Sequence, residues 1–135
     1  MTYAFLFGDY SYGNNLGLRI EGVPYLIGLF WALLVLVTGV TANYLSANKP
    51  ARILIGALLM VTLDFFMEQS APAFDYWSFT GSAAPLSNYV TWFALAFILH
   101  FIFQHFQLSG SRRFSIHVLT AQFVFFIYFY VFYNI

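Results

Sequence analysis

Cysteine is missing from this chain of 135 residues. That excludes disulfides, zinc–thiolate centres and thiol nucleophiles, and it leaves the redox compartment unread. Charge is scarce as well. Only 7% of residues are charged, where soluble domains carry about 25%. Five basic and five acidic residues cancel, so no basic cluster exists to hold nucleic-acid phosphates, and nucleic acid is not an expected partner. There is no glycine-rich phosphate loop, no G-x-S-x-G and no H-E-x-x-H. No lysine lies inside a hydrophobic run, since Lys49 sits in a turn; a retinal-type Schiff base is excluded with it. His100, His105 and His117 are too few and too scattered for a clustered-histidine di-iron centre, and all three read as interfacial polar residues. Polar lining groups are too sparse for an ion channel. Internal repeats and low-complexity tracts are absent. Gly13 and Gly17 have GxxxG spacing, but in a polar stretch where it says nothing about helix dimers. No metal and no cofactor is expected.

What remains is apolar. Hydrophobic residues make up 61% of the chain, and they fall into four stretches near the 20 residues that span a bilayer. The stretches run over about 24–45, 51–69, 86–106 and 114–133. The expected fold is all-α: a polytopic membrane helix bundle with four transmembrane helices, in a single membrane domain over 1–135. Lys49 and Arg52 flank one short turn, and Arg112 and Arg113 lie in another. Basic residues favour the cytoplasmic side, and a four-helix serpentine puts these turns on one side, so the two assignments agree. Residues 1–23, the loop 70–85 and the C-terminus then lie outside. The segment 7–17 is rich in turn formers and reads as an ordered extracytoplasmic loop. Aromatic residues reach 23%. Lipid-facing Phe with interfacial Tyr and Trp belts accounts for that, and so does a pocket for a long, flat apolar ligand.

One residue breaks the apolar pattern. Asp64 lies within the second span, and Glu68 follows one helical turn later on the same face. An ionisable group inside a membrane costs several kcal/mol unless it has a partner, which makes it a functional-site hypothesis. A helix rises 1.5 Å per residue, so Asp64 lies roughly 18 Å from Arg52 and Glu68 about 6 Å further out. Counted from the outer helix ends, Trp31, Asp64, Trp92 and Tyr128 lie on the order of 10 Å deep and are expected to share a layer, with Asn88 and Tyr89 just above it. The alternative for Asp64 is a plain helix–helix hydrogen bond to Thr38, Thr41 or a tyrosine. Glu68 reads equally as a solvated helix end. Two acids one turn apart repel if both ionise, so one is expected to keep its proton. That is the arrangement for paired general acid and base work.

The stretch Phe7-Gly-Asp-Tyr-x-Tyr-Gly-x-x-Leu-Gly17 is followed by Gly22-Val-Pro-x-x-Ile-Gly28 and Trp31. Then come Asp64-x-x-x-Glu68, Asp75-Tyr-Trp-Ser-Phe79 and Pro85-Leu-Ser-Asn-Tyr-x-x-Trp92. Taken in order, from about residue 5 to 105, these motifs resemble a family of integral-membrane carotenoid biosynthesis proteins that includes bisanhydrobacterioruberin hydratases and carotenoid 1',2'-hydratases. Members look longer, with further spans upstream, so the resemblance implies that N-terminal spans are lacking here. It also implies a multi-pass protein of the bacterial cell (inner) membrane, with a carotenoid or other polyene lipid as substrate. Other carotenoid-pathway membrane enzymes are possible partners.

The reaction implied is hydration of a terminal isoprene double bond. Protonation at C2' leaves a tertiary cation at C1', which water captures. Asp64 is the candidate acid. Glu68 or Asp75 would orient or deprotonate the water, and Asn88 would hold it. Trp31, Trp92, Tyr89 and Tyr128 would stabilise the cation through their ring faces, each by up to about 2 kcal/mol. Two other readings stay open. One is a non-catalytic polyene or lipid binder, or a scaffold for a pigment-making complex. The other is an inactive, shortened family member. A binder of hydrocarbon gains nothing from a buried acid, which separates it from a hydratase.

Overall fold

The computed structural model describes residues 4–81 and 83–134. A short helix α1 (Ala4–Phe7) leads into strand β1 (Tyr10–Tyr12), then β2 (Arg19–Ile20) and β3 (Val23–Pro24). Four long helices follow: α2 (Tyr25–Leu45), α3 (Lys49–Ser70), α4 (Leu86–His105) and α5 (Arg112–Asn134). Strand β4 (Trp77–Phe79) lies between α3 and α4. All four long helices have the length and hydropathy to cross a membrane, so the chain is a multi-pass helix bundle.

The boundaries follow local chemistry. Pro24 caps α2 in extended backbone, which suits a residue lacking the N–H that a first turn leaves free. Pro50 likewise sits in the first turn of α3 rather than ahead of it, so this helix starts two residues earlier than the hydrophobic run. The turn between β2 and β3 is carried by Glu21 and Gly22, both at positive φ (50° and 86°), the backbone of a tight two-residue hairpin.

Helix α3 packs against α2, α4 and α5, while α4 and α5 make little direct contact. Its buried face presents Ala57, Met60, Leu63 and Met67 to Leu34 and Val37 of α2 and Ala96 of α4. Small residues set the spacing of α4. A Cβ at Gly39 would come within 2.9 Å of the Phe103 ring, and one at Gly56 would overlap His100. Without a hydrophobic drive between helices in lipid, such close approach is what holds them together. His100 is fully buried there, which corrects its reading as an interfacial residue. Its Nδ1–H donates to Ala96 O (2.7 Å), and its Nε2 lies 2.8 Å from Thr38 Oγ1. His105 and His117 are exposed.

The segments that join the long helices at this end are not simple loops. β1 pairs antiparallel with β4, matching Tyr10 with Phe79, Ser11 with Ser78 and Tyr12 with Trp77. Alternate strand residues point to opposite faces, so the four aromatic residues share one face and the two serines the other. Asp75, at φ 54°, fixes the ribbon. It accepts the Asn14 backbone N–H at Oδ2 (2.9 Å) and the Asn15 N–H at its carbonyl (3.3 Å). Gly13 passes so close to Asp75 that no Cβ fits. The ribbon thus closes the end of the bundle opposite the turns at Lys49 and Arg112.

Candidate active site

Helix α3 carries both acids to the space under this ribbon. Asp64 is 1% exposed and Glu68 8%, so neither is a solvated helix end. Their surroundings differ. Glu68 accepts a hydrogen bond at each oxygen: from the Trp77 indole N–H at Oε2 (2.7 Å) and from Asn88 Nδ2 at Oε1 (3.2 Å). Asp64 Oδ2 is buried with no hydrogen-bond partner. Thr38 and Thr41 bond the carbonyls of Leu34 and Val37 in their own helix instead, so neither plays the partner anticipated for Asp64.

Both acids line one pocket. Its walls are aromatic. Trp31 of α2 stacks on Trp92 of α4 with centroids 4.2 Å apart and planes 10° from parallel. Phe7 tilts onto the same indole at 4.9 Å. From the ribbon come Tyr10, Tyr12, Trp77 and Phe79, with Tyr10 edge-on to Tyr12 and their hydroxyls 3.3 Å apart. Burial, reinforced by the Tyr10 hydroxyl, pushes the Tyr12 phenol above its ordinary range, so it stays a neutral donor near the acids. The faces of such rings, not their edges, offer a cation partial negative charge.

Of the residues singled out in the sequence, the structure gathers Trp31, Asp64, Glu68, Asn88 and Trp92 at this pocket. Three lie elsewhere. Asp75 holds the ribbon from its outer side, beside Ser11 and Ser78. Tyr128 is 61% exposed on α5, with its ring against Phe129 and Phe132, so it does not join the layer with Trp31. Tyr89 faces Phe65 at 6.0 Å. Residues not singled out as site residues complete the wall: Tyr10, Tyr12 and Trp77 from the ribbon, with Ile27, Phe30 and Met67 below it. The aromatic–Ser–aromatic pattern in both Tyr-Ser-Tyr and Trp-Ser-Phe was the available signal. Among the described residues no three His, Asp or Glu side chains converge as a metal site would need.

Compared with known proteins, residues 1–135 match the family model described as "Carotenoid biosynthesis protein". No curated protein and no solved structure matches.

Proposed function

We propose, for a chain that belongs to the carotenoid biosynthesis protein family, that it adds water across a terminal isoprene double bond of an acyclic or monocyclic carotenoid. The observation that carries the reading is the unequal pair of acids. Glu68 has both oxygens engaged by N–H donors, the setting of a carboxylate. Asp64 is buried with Oδ2 unpartnered in the same pocket, the setting of an acid that keeps its proton and can hand it on.

The chemistry then runs as follows. The Asp64 O–H transfers its proton to C2', the double bond supplies the electron pair, and C1' becomes a tertiary cation. The Trp31–Trp92 stack forms part of the pocket wall, and the ring face that the stack leaves uncovered stabilises the cation. A water positioned by Glu68 bonds through oxygen to C1' and loses a proton. That proton returns to the carboxylate pair, so the net change is one water gained and the enzyme is regenerated. Asn88 and Trp77 hold Glu68 in place. Neither step calls on a cofactor. The site lies at the outer membrane face of a bacterial inner membrane in this reading, because the basic turns sit at the opposite end of the bundle.

The test is pigment mass in a bacterial host that accumulates lycopene or γ-carotene, with an Asp64→Asn control. Gain of one water per modified end, lost in the control, supports the hydratase. Unmodified pigment that co-purifies with both proteins would replace it with a polyene binder.

A further inference from the structure

We propose that the apolar groove between α2 and α5 is the binding subsite for the polyene chain whose end enters the acid pocket. This deepens the preceding reading and rests on it for the identity of the ligand.

Three recesses meet at Trp77. The first is the acid pocket. The second is an apolar groove lined by Leu26, Leu29 and Leu33 of α2, Phe126 of α5 and Tyr76 of the ribbon segment. It shares Ile27, Phe30, Met67 and Trp77 with the acid pocket, so the two adjoin across one wall of side chains. The third recess is polar and lies on the outer side of the ribbon, between Ser11, Ser78 and Asp75; it shares Tyr12 and Trp77 with the acid pocket. Among the described residues Trp77 alone borders all three.

The chemistry of each recess matches one reactant. From Leu26 to Leu33 the groove runs about 10 Å along α2. It lies in the part of the bundle that faces lipid, and Leu26 and Leu29 at its rim are more than half exposed. A rigid hydrocarbon leaving the bilayer can lie there without desolvating any polar group. Its end then reaches the acids by passing Phe30 and Met67. Water has the opposite route, through the serine-lined recess past Tyr12. A hydrocarbon in the polar recess would strand its hydrogen-bonding groups, which fixes the assignment. The indole of Trp77 separates the two routes while its N–H holds Glu68.

The experiment fills the groove. Leu26→Trp and Leu29→Trp add a ring at exposed positions, so the packed core need not move; Leu45→Trp, exposed at the far end of the same helix, is the control. Each protein is produced in the lycopene-accumulating host and purified in amphipol, and bound lycopene per protein and its mass are measured. The subsite predicts a loss of bound pigment of about tenfold in both groove variants, a change of about 1.4 kcal/mol in affinity, and none in Leu45→Trp. Equal pigment in all of them overturns it, as does a wild-type protein that retains none. The two proposals separate cleanly. Lycopene bound without added water, yet lost in the groove variants, keeps the subsite and sinks hydration. Hydrated product formed equally by the groove variants, with equal retention, keeps hydration and sinks the subsite.

Discussion

The indole N–H of Trp77 meets Glu68 Oε2 at 2.7 Å. One residue belongs to the ribbon and the other to a long apolar helix, so this bond ties the ribbon to the acids. A hydrogen bond to a charged group contributes about 1.5–3 kcal/mol, and leaving the buried acceptor bare costs more than the bond was worth. Trp77→Phe keeps the aromatic wall and deletes only the donor. Its thermal midpoint in detergent should fall, and hydration of lycopene should drop by about tenfold or more. If both stay at wild-type values, the bond has no role in holding Glu68.

Asp64 should behave in the opposite way towards stability. Its Oδ2 is buried without a partner, and an unsatisfied buried polar group costs about 1–3 kcal/mol. Asp64→Leu removes that cost among neighbours such as Met67 and Phe30 that are already apolar. The variant should unfold at a higher temperature than the wild type while losing hydration altogether. Stability sacrificed at a functional position is the pattern expected where activity needs a strained or desolvated group. A destabilised Asp64→Leu protein would mean that the acid has a structural partner after all.

Much of this site is legible in the sequence alone. Asp64 stands out because nothing else in its helix carries charge except the helix ends, and the 1.5 Å rise then put Trp31 and Trp92 at its height. Depth, however, gives height without direction. Tyr128 has the right depth, but it lies on a face of α5 turned away from the bundle, and no count along one helix reveals that. The ribbon was harder. Strands of three residues are too short to show a period, and Tyr12 meets Trp77 across a whole pair of spans. The same limit hid the place of His100. Its burial depends on Gly56 in another helix, and a histidine near a span end is read as interfacial unless that neighbour is known.

Asp75 offers a direct comparison with the two pocket acids. It receives the Asn14 N–H on the outer side of the ribbon and adopts a positive φ of 54°. Asparagine tolerates that backbone and keeps an acceptor oxygen. Asp75→Asn should therefore retain hydration within about threefold, the change expected of a preserved turn rather than a lost general base, which would cost about 10²–10⁴-fold. Asp75→Ala loses both the acceptor and the tolerance of positive φ, and should loosen the ribbon, read as faster hydrogen exchange at Gly13 and Asn15. Loss of turnover in Asp75→Asn with an intact ribbon would return Asp75 to the reaction.

The glycines of the spans give the last contrast. A Cβ at Gly56 would collide with the His100 imidazole, and that ring cannot swing aside: Ala96 O holds one nitrogen and Thr38 Oγ1 the other. Gly56→Ala must therefore push α3 and α4 apart, at a cost of about 1–3 kcal/mol for an overpacked core. Gly28 in α2 has nothing within 4 Å of its missing Cβ. There the same substitution only lowers the backbone entropy of the unfolded chain, and Gly28→Ala should gain about 0.5–1 kcal/mol. Thermal midpoints of the two variants should move in opposite directions from the wild type. Because Asp64 and Asn88 are held on α3 and α4, the Gly56 variant should also lose turnover although Gly56 lies about 12 Å along the helix from the acid. A Gly56→Ala protein as stable and active as the wild type would show that this helix contact can open without disturbing the site.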